Sequence, residues 1–269
     1  MLIIGERINT CRQSVMRAYA ERDAGFIRNE ALRQAEAGAD VIDVNAGSGL
    51  DVEPENMAWA VRTVQEAVDL PLCIDSPNPA TIIAGLNACR DGRACWADSI
   101  TLEKQRMDGI LPACRDRQAC VIALCKDEKG IPRSAQGRAE IAKKLVETVD
   151  RYGIPLANLY LDPMIEPLCL AHDSGLLAVD TLRELKAQLP EIKTVISLSG
   201  ISFGLPERKL LHCAFLPILM HEGLDAIFLD PADQRLMATF RAARTLLGRD
   251  ESCMQYIASH RDGGLANVL

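Results

Sequence analysis

Eight short runs of mostly apolar residues punctuate the chain: Leu2–Gly5, Val41–Asn45, Leu72–Asp75, Ala94–Asp98, Cys120–Cys125, Leu159–Asp162, Thr194–Ser199 and Ala226–Asp230. Apolar residues without polar alternation are expected of parallel strands covered on both faces, whereas a half-exposed strand alternates. The segments between them repeat at helical spacing. Ile27, Ala31 and Ala35 stand four apart and end at Gly38, a residue suited to a helix C-terminus. Met57, Val61, Val64 and Val68 form one face of a helix opened by Pro54. Ile141, Leu145 and Val149 precede Gly153, and Leu236, Phe240 and Leu247 precede Gly248. Strand then helix, repeated eight times, predicts a parallel sheet. An open doubly wound sheet shares that alternation, but eight units in 269 residues match a closed (β/α)₈ TIM barrel, which typically takes about 250. The fold class expected is therefore α/β, one barrel domain over residues 1–269.

Two segments break the repeat. Ser14–Arg22 predicts a short extra helix before the first main one, and Arg249–Leu269 reads as a polar C-terminal extension against the barrel or a neighbouring subunit. Three long connections, Gly47–Asn56, Asp127–Gly137 and Ser202–Arg208, follow strands and are interrupted by glycine or proline. In a barrel such loops lie on the C-terminal face, where sites are built.

Composition narrows the class further. Hydrophobic residues make up 48% but aromatics only 4%, so the core must be largely aliphatic. A net charge of −7 argues against broad contact with nucleic acid or an anionic membrane. No apolar run approaches the roughly 20 residues of a membrane span. Gly5, Glu6 and Arg7 cut short the apolar opening, which reads as a strand and not a secretion signal, so a cytoplasmic protein is expected. The ten cysteines include no Cys-x-x-Cys; Cys73, Cys95 and Cys120 lie in strand runs, where a free thiol packs as a small hydrophobe. A reducing, even anaerobic, setting suits this better than a disulfide scaffold.

The candidate chemistry lies at the strand ends. Glu6 with Asn9, Asp43 with Asn45, Asp75, Asp98, Asp162 and Asp230 each stand at or near one, while the seventh strand ends in Ser199-Gly200. Asp230 is read as a helix N-cap. Asp75 and Asp162 are followed by their own chain breaks, Ser76-Pro77 and Pro163, and so have less call to cap. Acids converging from different strands repel unless a ligand satisfies them. The four histidines fall in helical or loop segments away from strand ends, so no metal centre is expected, carboxylate-bound magnesium being the remaining metal option. A neutral heterocycle with an amino group beside a ring N–H matches a carboxylate in a two-point fork. No glycine-rich phosphate loop is present, and Ser202-Phe-Gly-Leu-Pro lacks the lysine of a P-loop.

Five segments in order, Met1-Leu-Ile-Ile-Gly-Glu-Arg-Ile-Asn9, Gly38-Ala-Asp-Val-Ile-Asp-Val-Asn45, Leu72-Cys-Ile-Asp-Ser76, Leu159-Tyr-Leu-Asp-Pro163 and Leu198-Ser-Gly-Ile-Ser-Phe-Gly-Leu-Pro206, resemble the pterin-binding methyltransferases. These move a methyl group between N5 of methyltetrahydrofolate and the cobalt of a separate corrinoid protein, and are related to the folate module of cobalamin-dependent methionine synthase. The resemblance implies a homodimeric (β/α)₈ barrel of anaerobic one-carbon metabolism, with tetrahydrofolate as substrate, cobalamin carried by a partner, and no metal of its own. It implies that Asp75 and Asp162 accept hydrogen bonds from the pterin's donor edge. Ser199, Gly200, Ser202 and Arg208 would line the pterin and aminobenzoate-glutamate path, with Arg208 facing the anionic tail. Glu6, Asn9, Asp43 and Asn45 match the motifs of the first two strands, where they shape or touch the pocket.

Two departures from the family pattern bear on catalysis. Gly200 stands where the family has asparagine in a Ser-Asn-Ile/Val-Ser turn, and Asp98-Ser99 where its fourth strand ends in Asn-Ser. The missing asparagine is the one expected to hydrogen-bond near N5. Asp98, crowded by Asp75, is therefore expected to have a raised pKa and to donate to the ring or steady a water there. Two rivals follow. Dihydropteroate synthase shares the pterin pocket but needs a lysine on the seventh strand and an Arg-x-His near the C-terminus; here Lys193 opens that strand and the tail reads His260-Arg261. A non-catalytic pterin-binding or corrinoid-docking protein is the other, with Gly200 its best support.

Overall fold

A computed structural model describes residues 1–47 and 52–265. Eight parallel strands, β1 (Leu2–Asn9), β2 (Val41–Asn45), β3 (Leu72–Asp75), β4 (Cys95–Ile100), β5 (Cys120–Leu124), β6 (Leu159–Asp162), β7 (Lys193–Ser197) and β8 (Ala226–Leu229), close in sequence order, with β8 pairing back onto β1. The helices are α1 (Gln13–Glu21), α2 (Ala24–Glu36), α3 (Glu53–Ala67), α4 (Pro79–Ala88), α5 (Lys104–Arg117), α6 (Ala135–Arg151), α7 (Ser174–Gln188), α8 (Arg208–His221), α9 (Gln234–Leu246) and α10 (Met254–Arg261). This is the (β/α)₈ barrel that the alternation predicts.

Each apolar run became a strand because it is covered twice. Ile4, Val41, Cys73, Trp96, Ile122, Tyr160, Val195, Ala226 and Phe228 point inward and fill the barrel, with the Trp96 and Tyr160 rings 4.3 Å apart. The residues between them, such as Ile42, Ile74 and Val121, pack outward against Met57, Val61, Ile82 and Leu86 of the helices. Helix ends follow their local chemistry. Asp23 caps α2 by accepting from the Phe26 N–H at 2.9 Å, Pro54 sits in the first turn of α3, and Gly38 adopts φ +99° just past α2. On α2 the buried face runs through Ile27, Ala31 and Gln34, with Ala35 only half-buried. Gln34 turns inward because its side-chain oxygen accepts the Arg7 N–H at 3.0 Å.

The largest departure from pattern is β1, which runs on past Gly5 to Asn9. Pairing with β2 shifts register between Gly5 and Ile8, and that irregularity passes the polar Glu6-Arg7 while returning Ile8 to the core. The extra helix expected over Ser14–Arg22 is α1. The connections are shorter than expected, since α3 begins at Glu53 and α6 at Ala135; residues 48–51 of the first lie outside the described residues. The extension over 249–265 forms a short turn and α10, and residues 266–269 lie outside the described residues. Helix α10 packs on α9 and closes a cavity of about 240 Å³ with Met1, Ile3 and Asp40, at the N-terminal end of the strands. No described helix is long and apolar enough to cross a membrane.

Candidate functional site

Strand register brings the predicted polar residues into one rim. Asn9 pairs with Asn45, Asn45 with Asp75, and Asp75 with Asp98, a continuous row across four strands. Asp43 lies two residues deeper on β2, opposite Cys73. Asp162 ends β6, and Glu6 and Ser199 meet across the β1 and β7 side, the Ser199 hydroxyl donating to Glu6 Oε2 at 3.0 Å. Among the described residues no three His, Cys, Asp or Glu side chains are grouped to hold a metal ion.

The row is ordered from its β1 end. Asn45 Oδ1 accepts from the Gly47 N–H at 3.2 Å, which fixes the amide so that Nδ2 donates to Asp75 Oδ2 at 2.7 Å. Asn9 turns its Oδ1 to the Cys11 N–H at 2.9 Å and helps end the strand. From the other side Arg106, on α5, donates to the carbonyls of Ser99 (2.7 Å), Ser76 (2.8 Å) and Pro77, tying together the loops after β3 and β4.

Electrostatics divides the acids. Asp98 is held well above the ordinary carboxylate range, by burial first and then by repulsion from Asp75 and Asp162, with Arg106 opposing. Asp75 is raised by burial against the hydrogen bond from Asn45 and the charge of Arg106. Asp43 is raised by burial and by Asp75, Asp98 and Glu6; it is almost fully enclosed, and its Oδ1 has no hydrogen-bond partner. A neutral, protonated Asp43 suits that setting. Burial pushes Glu6 up to about 7 against its bond from Ser199. Asp162 also rises to about 7 by burial, restrained by the Met164 N–H at 2.7 Å and by the charge of Arg138.

The turn after β7, Leu198–Ser202, is a 3-10 helix bracketed from α8. Arg208 donates through Nε to Ser202 Oγ (3.0 Å) and through Nη2 to the Ser199 carbonyl (2.9 Å), and its guanidinium lies 5.5 Å from the Phe203 ring centre. Ser202 Oγ also lies 2.7 Å from His212 Nε2. Ser202 is fully buried and its oxygen already accepts from Arg208, so the hydroxyl serves as a link within the turn; burial, and then the Arg208 charge, lowers the His212 pKa. Gly200 sits in the turn with room above it. A Cβ placed there meets nothing nearer than the Ile165 carbonyl oxygen at 3.7 Å.

Two expectations are corrected. Asp230 is not the helix cap, because Asp233 accepts from the Arg235 and Leu236 N–H groups at the start of α9. Asp230 instead pairs with Arg7 (2.8 Å) and Arg12 (3.0 Å), joining the loops of β8 and β1. The histidines are also not all remote. His212 lines a cleft of about 380 Å³ with Glu6, Arg12, Ser199, Arg208 and Lys209, and its spacing one helical turn after Arg208 could have signalled this. Arg106 and Arg138, which hold the rim from behind, were missed altogether. The residues weighed for a diphosphate site lie elsewhere. Lys193 reaches the Ala157 carbonyl at 2.8 Å from the start of β7, and His260-Arg261 belong to α10 at the opposite end.

A family model described as pterin binding enzyme matches residues 5–230. The chain belongs to this family. Over 270 residues, the whole of this chain and 99% of the relative, it is 35% identical to a methylcorrinoid:tetrahydrofolate methyltransferase of Eubacterium limosum. It is 29% identical over 240 residues to methionine synthase of Mycobacterium tuberculosis, a match taking in 84% of this chain and 20% of that much longer one. Among solved structures, dihydropteroate synthase from Thermus thermophilus superposes with a TM-score of 0.65, covering 93% of each chain at 14% identity. That likeness is one of fold. Within the pterin-binding enzymes, the acid-rich rim and the turn at Gly200 set the terms for what this chain can do.

Proposed function

We propose that this pterin-binding enzyme transfers a methyl group between N5 of tetrahydrofolate and the cobalt of a corrinoid carried on a separate protein. The observation that carries the reading is the rim itself: Asp75 and Asp98 in register on β3 and β4, with Asp162 on β6 as a third acid at the same end. The full-length identity to a methylcorrinoid:tetrahydrofolate methyltransferase supports the direction from corrinoid to folate.

In this reading Asp75 and Asp162 accept from the donor edge of the pterin, and their fixed partners, Asn45 and the Met164 N–H, each leave a second oxygen for it. In the direction of folate methylation, the N5 lone pair attacks the methyl carbon, the N–C bond forms as Co–C breaks, and the bonding pair stays on cobalt, taking it from Co(III) to Co(I). N5 then surrenders its proton. In the opposite direction N5 must gain one to leave. A group beside N5 that can hold a proton and release it serves both directions. Asp98, held above the carboxylate range by burial and Asp75, is the group proposed for that work, while Gly200 supplies no side chain where the resemblance expects an asparagine. Asn45 orders Asp75 from the β2 side, while Glu6, Asn9 and Asp43 shape the pocket around it. The tail of folate would run toward the cleft of Arg12, Arg208 and Lys209.

The reading includes a homodimer in the reducing cytoplasm of an anaerobic cell. Exposed Leu176 and Leu210, on α7 and α8, supply apolar surface for such an association. A monomeric mass by ultracentrifugation at micromolar concentration would remove the dimer from the reading. Gly200 favours a second reading, a protein that binds the pterin without transferring methyl. Anaerobic absorbance separates the two. Methylcobalamin or its native protein-bound form, mixed with tetrahydrofolate and this protein, should convert to the cob(I) spectrum, with Asp75→Ala slowing the change at sub-saturating tetrahydrofolate. Tight folate binding without conversion, tested with the native corrinoid protein, would favour the second.

A further inference from the structure

Behind Asp162 a charged side chain is sealed from solvent. Arg138, in the first turns of α6, has no exposed side-chain surface. Its Nε donates to the Pro132 carbonyl at 2.9 Å, and Nη1 donates to the carbonyls of Pro163 (3.0 Å) and Met164 (2.8 Å). Those carbonyls belong to two loops, one after β5 and one after β6. An apolar side chain would fill the same volume without the cost of burying a charge, so the guanidinium is explained by what it holds. It holds Met164 at φ +67°, a left-handed conformation that residues other than glycine seldom adopt. On the other side of that residue, the Met164 N–H donates to Asp162 Oδ1 at 2.7 Å. Arg138 Nη2 faces Glu166 Oε2 at 3.5 Å, an ion pair without a hydrogen bond, so its short, directional contacts all go to the loop carbonyls.

We propose that Arg138 is a positioning residue of the ligand site: its guanidinium pins Pro163 and Met164 so that the Met164 N–H occupies one Asp162 oxygen, and its charge favours the ionised Asp162 that can accept from a donor-rich ring. The inference rests on the reading of the rim as a pterin site. The groups that face Asp162 are few. Asp98 on β4 opposes its ionisation. Cys125, just past β5, is held as a neutral thiol by burial. Arg138 on α6 is the favourable charge, with Glu166 and Arg133 lying beyond it.

The test has one arm without ligand and one with it. In full-length protein labelled with ¹³C at aspartate carboxyls, with Asp162 assigned through Asp162→Asn, the carboxyl should titrate near 7. In Arg138→Met the midpoint should rise by about one pH unit, and tetrahydrofolate affinity at pH 7 should fall about 25-fold, the deficit narrowing toward the roughly fivefold loss of the fork by pH 9. Arg138→Lys keeps the charge but not the fork. Its midpoint should stay near the wild-type value, while tetrahydrofolate binds at least about fivefold more weakly at every pH. If Arg138→Met does not fold, the lysine variant decides alone. Wild-type affinity and pH profile in a folded variant would overturn the proposal. Wild-type protein that binds no tetrahydrofolate would overturn the pterin reading instead, and the titration would still decide the hold of Arg138 on Asp162.

Discussion

Asp98 has another acid directly beside it on the next strand; the strand residue beside Asp162, Leu124, is apolar. Asp98 gains its surroundings from Asp75, from burial and from an arginine that commits its donors to backbone carbonyls. Asp162 has a backbone N–H on one oxygen and a buried arginine behind it. The first arrangement favours keeping a proton; the second restrains that tendency and holds the carboxyl near the middle of its titration at neutral pH. One residue type at one end of one barrel thus takes two electrostatic characters from what stands beside it, matching the two tasks proposed, proton exchange and acceptance of ligand donors.

The comparison breaks most sharply at Asp98. In Asp98→Asn the methyl-transfer rate should drop by about 10²-fold or more, its pH dependence should flatten, and the tetrahydrofolate Kd should move little. Full activity across pH would end the proton-handling role. Gly200→Asn sharpens that result, since the open space above Gly200 admits the side chain. Added to Asp98→Asn it should recover at least about tenfold of the lost rate, a coupling that a double-mutant cycle measures. Asp75→Ala should act on binding, weakening tetrahydrofolate by about 10- to 100-fold, the usual range for a charged hydrogen-bond acceptor removed from a buried site.

Stability carries a smaller signature. Asp162 and Glu6 bind a proton more tightly in the folded chain, at about 7, than in the unfolded one, at about 4. Their contribution is fully present below the unfolded value and is lost as pH rises through the folded one. The melting temperature, followed by circular dichroism, should therefore fall between pH 5 and 8 on account of these groups, and Asp162→Asn should flatten part of that fall. Each kcal/mol corresponds to about 2–4 °C in a chain of this size. A wild-type melting temperature rising across that interval, with Asp162→Asn unchanged in slope, would count against the raised carboxyls. Smallest of all, Gly200→Asn alone should shift stability by less than about 0.5 kcal/mol in urea titration.

The sequence made the strands and their terminal acids readable because both are local. An apolar run that ends in Asp-Ser-Pro or Asp-Pro carries its own boundary, as at Asp75 and Asp162. The polar Glu6-Arg7 hid the second half of β1, since the irregular register with β2 and the inward Ile8 appear only when the partner strand is in place. Asp230 reads as the cap, but Asp233, three residues on, takes that place. Arg7 and Arg12, more than two hundred residues upstream, hold Asp230 instead. The arginines behind the rim left no trace in periodicity. Arg106 and Arg138 sit on helices rich in exposed charge, and only the carbonyls of distant loops explain why these two turn inward.

The packed layer of Val41, Cys73, Trp96, Ile122, Tyr160 and Phe228 beneath the acids also works as an electrical partition. Apart from the Cys73 thiol and the Tyr160 phenol these side chains carry no group that relays a proton, so the mouth is the direct route by which the rim exchanges protons with solvent. A ligand seated there closes that route. On the proposed reading, a proton freed as N5 is methylated would then stay on Glu6, Asp43, Asp75, Asp98 or Asp162 until the ligand departs. Product release would thereby also reset the charge of the rim.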